Sequence, residues 1–172
     1  MVIHGKTHVI VDKKGSLIED IDTDQIYHNA HLAVTEIAQM GQYAFGNLEG
    51  WKDFTEKAKD GDILIVGKNF GAGSSRQHAV DCFCALGIAA ILGESFGAIY
   101  KRNAINSGFP IMECAGISSI DLSSLDMVEV NFETGEIKNR EGSLIFTGKP
   151  FSDVQKDIYQ AGNLFAYGRS LE

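Results

Sequence analysis

Short apolar runs recur along the chain, and the segments between them have helical or glycine-rich patterns. Residues 63–66 form a continuous apolar run rich in β-branched side chains, as expected of a strand buried on both faces. Residues 88–92 predict a second buried strand. Between the two, apolar side chains recur at i, i+3, i+4 and i+7 over residues 76–86, which predicts a helix ending at Gly87. This order indicates parallel strands joined by a crossing helix.

The segments on either side extend this pattern. Apolar residues at positions 9–11 predict a short strand, and residues 35–45 and 51–59 each predict a helix. Residues 95–106 predict a further helix that stops at Gly108, since glycine is a common helix terminator.

In the last third of the chain, apolar and polar residues alternate, which is the pattern of strands with one exposed face. Residues 128–132 and 143–146 fit this pattern and predict antiparallel strands. Ser152 and Gln155 have the spacing of a capping box and predict the start of a last helix. We therefore predict one α/β domain over residues 1–172, with both parallel and antiparallel strands.

The composition narrows the classes of protein to which the chain can belong. It has 172 residues, of which 44% are hydrophobic, and a formal net charge of −8. A chain of this length buries enough surface to fold as one domain without disulfides or a metal. The acidic balance argues against nucleic acid as a partner, and no apolar run approaches the roughly 20 residues of a membrane span. Three cysteines and no signal-peptide pattern favour a reducing, cytoplasmic location.

The segment from Gly71 to His78 carries the most distinctive chemistry. Its glycines let backbone N–H groups approach a ligand, and the start of the following helix adds unpaired donors and the positive end of a dipole. Arg76 adds a planar group that suits a carboxylate or a phosphate. Residues 67–110 contain four basic and two acidic residues, although the whole chain is acidic. These features predict a binding site for a small anion, although the spacing matches neither a P-loop nor the dinucleotide-binding fingerprint.

Two interpretations of Ser74 remain open at this stage. Ser74 and Gln77 have the spacing of a capping box, in which the serine only caps the start of the helix. Beside Arg76 and a helix start, the same serine has a stabilised alkoxide and could act as a base. A nucleophilic role would need an adjacent histidine, and the spacing to His78 permits such a contact without requiring it.

No set of residues has the spacing of a metal site. Cys82 and Cys84 are two positions apart on a predicted helix and therefore point to different faces. Cys114 has no partner at a ligand spacing, and His28 and His31 have no third ligand nearby. We therefore predict no metal-binding residues in this chain.

Three motifs occur in the order found in one known family. They are Asp-Thr-Asp-Gln-Ile at residues 22–26, Gly-Lys-Asn-Phe-Gly-Ala-Gly-Ser-Ser-Arg-Gln-His-Ala at residues 67–79, and Ser-Phe-Gly-Ala-Ile-Tyr-Lys-Arg-Asn-Ala-Ile-Asn-Ser-Gly at residues 95–108. The chain thus resembles the small subunits of 3-isopropylmalate dehydratases, which are swivel domains of the aconitase superfamily. The resemblance implies a swivelling β/β/α domain of the aconitase C-terminal type that caps a separate large subunit.

The same resemblance implies a chemistry shared between two chains. The large subunit of the family carries a [4Fe-4S] cluster on three cysteines, and its open iron acts as a Lewis acid. The joint reaction removes and re-adds water on a small hydroxy di-acid through an unsaturated intermediate. The resemblance therefore implies that this chain holds no cofactor of its own and works in a heterodimer or heterotetramer with an iron-sulfur subunit.

The catalytic residues of the family match positions in the first two motifs. Ser74 corresponds to the base that removes a proton from the substrate carbon. Ser75 and Arg76 correspond to residues that contact a substrate carboxylate. Asp24 corresponds to the acid that supports this substrate-binding group.

The loop that reads the variable arm of the substrate corresponds to His31, Leu32, Ala33 and Val34. Relatives that act on a substrate with an additional carboxylate tend to place an arginine in this loop. Ala33 and Val34 offer no positive charge, so an apolar arm avoids leaving a buried carboxylate unpaired. We therefore expect an isopropyl-like arm, and with it 3-isopropylmalate dehydratase activity in leucine biosynthesis.

Besides this loop, two further departures from the family pattern keep other functions open. Gln77 replaces the glutamate that usually follows the arginine, and residues 27–29 replace a proline-bearing segment. A related hydro-lyase acting on dimethylmalate, homoaconitate or aconitate would share the same motifs. A binding module that kept the anion site and lost catalysis is an alternative of a different class.

Overall fold

One sheet of seven strands forms the centre of the computed structural model, which describes residues 1–172. The strands are β1 (Val2–Val9), β2 (Ile63–Val66), β3 (Ala90–Gly93), β4 (Ile111–Glu113), β5 (Met127–Asn131), β6 (Glu136–Asn139) and β7 (Leu144–Thr147). They lie in the order β4-β3-β2-β1-β5-β6-β7. Strands β1 to β4 are parallel, and β5 to β7 pair antiparallel. The predicted mixture of parallel and antiparallel strands is confirmed.

Seven helices connect or flank these strands. They are α1 (Thr23–Ile26), α2 (Ile37–Met40), α3 (Phe54–Lys57), α4 (His78–Leu86), α5 (Ala98–Asn106), α6 (Asp153–Ala161) and α7 (Leu164–Arg169). Helix α4 connects β2 to β3, and α5 connects β3 to β4, so the predicted layered unit is present. Gly87 adopts a φ of 78° and ends α4 as the sequence predicts.

The prediction of the first strand is wrong in position. The strand covers Val2–Val9 rather than residues 9–11, because two of its buried side chains are polar and hide the apolar pattern. The Thr7 hydroxyl donates to the carbonyl of Ser123 (2.8 Å), and the His8 ring lies 2.6 Å from the Asp62 carboxylate. Both polar groups are therefore satisfied inside the protein.

The two long helices predicted before β2 are also wrong in extent. Only single turns form there, namely α2, the 3₁₀ turn Gly41–Tyr43 and α3. Residues 35–39 are exposed, so no apolar face is available to hold a longer helix against the core. Strands β4 and β6 and the final helix α7 lack a pattern long enough to predict them.

The sheet separates two hydrophobic cores. Alternate residues of β2 point to opposite faces, so Leu64 and Val66 join one core while Ile63 and Ile65 join the other. The first core holds 23 buried residues and most of the aromatic rings, and the second holds 13. No helix is both long and apolar enough to cross a membrane. Because the loop after β2 leaves the sheet at the carboxyl ends of the parallel strands, it lies where open α/β sheets bind ligands.

Candidate active site

The loop that follows β2 is fixed to the segment around Asp22. The Gly71 N–H donates to the carbonyl of Ile21 (2.8 Å), and the Thr23 N–H donates to the carbonyl of Ala72 (2.9 Å). Gly71 has a φ of 77°, and a Cβ at this position would overlap the ring of Tyr100. The loop therefore needs glycine here both for its backbone conformation and for its close approach to α5.

Ser74 and Ser75 lie at the exposed end of this loop. The Thr23 hydroxyl donates to the carbonyl of Ser74 (3.0 Å), so the Asp-Thr-Asp motif holds the serine backbone in place. The Ser74 hydroxyl makes no hydrogen bond within the chain and is open to a ligand. The Ser75 hydroxyl accepts a hydrogen bond from the amide of Asn103 on α5 (3.3 Å).

Arg76 is anchored on Asp24. Its Nη1 lies 2.7 Å from Asp24 Oδ1 and 3.3 Å from the carbonyl of Tyr27, to which it also donates. The Asn29 N–H donates to the same oxygen of Asp24, and the Asn47 amide donates to the other (3.1 Å). The hydrogen bond from Arg76 lowers the pKa of Asp24 below its ordinary value of 3.8. Arg76 is left with Nε and Nη2 free of partners in the chain, which suits a planar anion.

The capping interpretation of Ser74 is wrong. Helix α4 begins at His78, and no side chain caps its first turn. The Gln77 amide instead donates to Asp81 Oδ1 (2.9 Å) and to the Ser107 hydroxyl (2.7 Å). A glutamate at position 77 would face the Asp81 carboxylate with a like charge, whereas the amide of Gln77 donates to it. His78 contacts the carbonyl of Val34 (3.0 Å) rather than Ser74, so the structure forms no Ser–His pair.

The predicted substrate-reading loop lies beside this group. The Tyr27 hydroxyl donates to the carbonyl of His31 (2.9 Å), and the ring of His31 stacks on Tyr43. Leu32 and Ala33 are exposed, and Val34 is half-buried. The structure thus brings all the sequence-predicted site residues to one end of the parallel half of the sheet.

Several residues of this site could not be recognised from the sequence on their own. Asn29 and Asn47 complete the contacts of Asp24, and Asn103 holds Ser75. Thr23 and Asn103 lie inside the motifs, which is the one clue the sequence provides. Lys101, which could have added positive charge here, is paired instead with Glu113 (2.9 Å).

The sequence profile named Aconitase C-terminal domain matches residues 18–114, more than half of the chain. The chain belongs to this family. Two curated relatives extend the match. The isopropylmalate/citramalate isomerase small subunit of Methanocaldococcus jannaschii is 40% identical over 148 residues, 86% of each chain. The 3-isopropylmalate dehydratase small subunit of Caldicellulosiruptor saccharolyticus is 38% identical over 97% of this chain and 91% of its own.

A solved structure agrees with the aconitase C-terminal assignment. The crystal structure of 3-isopropylmalate dehydratase from Methanocaldococcus jannaschii superimposes with a TM-score of 0.85 at 28% sequence identity. The superposition covers 99% of this chain and 95% of that one. The fold predicted from the motifs is therefore confirmed.

The residues of this aconitase C-terminal domain do not fit an iron-sulfur cluster. No group of three or more histidine, cysteine, aspartate or glutamate side chains is placed to hold a metal ion. Cys82 and Cys114 are buried, and burial raises the pKa of the Cys114 thiol to about 12. Cys84 is exposed and belongs to no group of possible metal ligands. A raised pKa disfavours the thiolate that cluster ligation requires.

Proposed function

We propose that this chain is the small subunit of a hydro-lyase that interconverts 2-isopropylmalate and 3-isopropylmalate in leucine biosynthesis. The observation that carries this proposal is the pair of exposed serines beside an arginine whose position Asp24 fixes. The names of the relatives support it, since they are small subunits of isopropylmalate dehydratases or isomerases. We infer that residues 1–172 act as one swivelling domain in the cytoplasm, in keeping with three free cysteines.

The proposed partner is a large subunit that closes the exposed side of the site. We place the [4Fe-4S] cluster there, where it would act as a Lewis acid on the departing hydroxyl. Whether the pair forms a heterodimer or a heterotetramer does not alter the roles proposed for this chain.

Four residues of this chain take part in the proposed chemistry. Ser74 takes the proton from the carbon next to the one that bears the hydroxyl, and it returns a proton when water is added back. Arg76 binds a substrate carboxylate through its two free nitrogens, and Ser75 contributes a hydroxyl to the same carboxylate. Asp24 keeps the guanidinium in the orientation that this binding needs.

The apolar loop favours an isopropyl arm. Leu32 and Ala33 are exposed at its end and offer no cation to an additional carboxylate, which would lie unpaired in a closed site. The name of the Methanocaldococcus relative also includes citramalate, whose arm is smaller. Citramalate is therefore the second substrate to test.

The test is an anaerobic assay of the chain with its large subunit, with 2-isopropylmalate, citramalate and a tricarboxylate offered separately. We expect turnover only when both chains are present, with 2-isopropylmalate preferred. Ser74→Ala should lower kcat by about 10³-fold, while Ser143→Ala, at an exposed serine far from the site, should leave it unchanged. Preference for the tricarboxylate would contradict the proposal. Tight di-acid binding by a chain that never associates with a large subunit would favour the binding module.

A further inference from the structure

The four residues of the substrate-reading loop form a closed turn. The Val34 N–H donates to the carbonyl of His31 (3.1 Å), and the Leu32 N–H donates to the carbonyl of Asn29 (3.2 Å). Leu32 and Ala33 are exposed at the tip, while His31 and Val34 at the two ends are half-buried. The backbone of the turn therefore decides where the two tip side chains lie.

Two side chains from elsewhere hold the two ends of this turn. The Tyr27 hydroxyl donates to the carbonyl of His31 (2.9 Å), and the His78 ring contacts the carbonyl of Val34 (3.0 Å). Because a carbonyl oxygen can only accept, Nε2 of His78 must carry the hydrogen. One carbonyl at each end is thus fixed by a side-chain donor.

The two donors belong to one packed group of rings. The rings of Tyr27 and His78 lie 5.1 Å apart, and that of His31 stacks on Tyr43 at 3.9 Å. The rings of Tyr27 and Tyr43 meet edge to face at 5.9 Å. Tyr27 is fully buried, so its hydroxyl has little freedom to leave the His31 carbonyl.

The same two residues are also connected to the anion site. The carbonyl of Tyr27 accepts a hydrogen bond from Nη1 of Arg76 (3.3 Å). His78 is the first residue of α4 and follows Arg76 by two positions. Tyr27 and His78 therefore support both the turn at residues 31–34 and the segment that carries Arg76. This shared support fixes the distance between the turn and the guanidinium.

We propose that Tyr27 and His78 are positioning residues that set substrate selectivity by holding the turn at residues 31–34 in register with Arg76. The inference rests on the proposed function, in which this turn reads the variable arm while Arg76 binds a carboxylate. A fixed spacing between the two contacts distinguishes a longer arm from a shorter one, because both ends of the substrate must fit at once.

The first test measures the turn itself in the isolated chain. His78→Phe and Tyr27→Phe each keep a ring and delete one donor, and Trp51→Phe deletes a comparable donor to the carbonyl of Val11, on another part of the surface. We expect hydrogen exchange at the amides of Leu32 and Val34 to become about five-fold faster in the first two variants and to stay unchanged in the third. Unchanged exchange in His78→Phe and Tyr27→Phe would overturn the positioning role.

The second test measures selectivity in the enzyme assembled with its large subunit. The ratio of kcat/KM for 2-isopropylmalate to that for citramalate should fall by about ten-fold in His78→Phe and Tyr27→Phe, and not in Trp51→Phe. Faster exchange with an unchanged ratio would overturn the role in selectivity. If the wild type turned over none of the acids, the proposed function would fail and the selectivity role with it, while the exchange experiment would still decide whether the two residues hold the turn.

Discussion

At the scale of single residues, both carboxylate oxygens of Asp24 are bound by groups of the same chain. One oxygen receives Arg76 and the Asn29 N–H, and the other receives the amide of Asn47. A carboxylate facing an anionic substrate would repel it, whereas one neutralised by a guanidinium does not. Asp24 therefore acts through Arg76.

The ion pair predicts a pH dependence of stability. Because the hydrogen bond from Arg76 lowers the pKa of Asp24, the charged form is stabilised by folding. This contribution is fully present above the ordinary value of 3.8 and is lost as the pH falls through the lower pKa of the folded state. Asp24→Asn should therefore destabilise the chain near neutral pH and progressively less in acid, by a small amount because the carboxylate is 36% exposed.

Urea unfolding of the two proteins across the acid range measures this difference. Asp121→Asn, at an exposed aspartate without an ion pair, is the matched control and should show no such trend. A difference between wild type and Asp24→Asn that stays constant with pH would contradict the role of the ion pair.

At the scale of elements, the loop between β2 and α4 requires glycine at position 71 for two reasons. Gly71 needs a positive φ and also lies against the ring of Tyr100. Gly142 has a similar φ of 82° but nothing within 4 Å of its missing Cβ. Alanine substitutions at Gly71 and Gly142 therefore separate the cost of backbone strain from the cost of steric overlap.

We expect Gly142→Ala to cost about 1 kcal/mol of unfolding free energy, from strain alone. Gly71→Ala should cost about 3 kcal/mol or more, because the overlap with Tyr100 adds to the strain. Chemical denaturation of both variants measures the two costs. Equal losses would mean that the Tyr100 ring moves aside freely.

The elements that the sequence predicts well are those with a local signal. Strand β2 buries consecutive apolar residues. Helix α4, which follows it after the glycine loop, buries apolar residues along one face. Strand β1 escapes prediction because His8 is satisfied by a residue far along the chain. The residues that support the site could not be predicted for the same reason, since Asn47 lies 23 positions from Asp24 and Asn103 lies 28 positions from Ser75.

At the scale of the whole molecule, β1 lies at the centre of the sheet, between its parallel and antiparallel halves. His8 on this strand and Asp62 just before β2 are almost fully buried and form a close pair. The Asp62 carboxylate also accepts the Lys59 N–H (2.9 Å), and the His8 ring packs against Phe54. The pair thus joins the central strand to the segment that enters β2.

Removing one member of this pair should be costly. His8→Ala leaves the buried carboxylate with one partner fewer and a cavity beside Phe54, so we expect a loss of about 3 kcal/mol in the free energy of unfolding. His4→Ala, on the same strand at a histidine that is 65% exposed, should change stability by less than about 0.5 kcal/mol. Equal effects in urea unfolding would show that the buried pair contributes nothing specific.

The position of β1 also has a consequence for synthesis of the chain on the ribosome. Of the seven strands, β1 leaves the ribosome before the other six, yet its antiparallel neighbour is β5, with Val2 opposite Asn131. Until most of the chain has been translated, one edge of the earliest strand has no partner and is available to other chains. The antiparallel half of the sheet is therefore the last to form, and its strand β5 covers that edge of β1. Translation that stalls before residue 127 would thus release a polypeptide prone to aggregate.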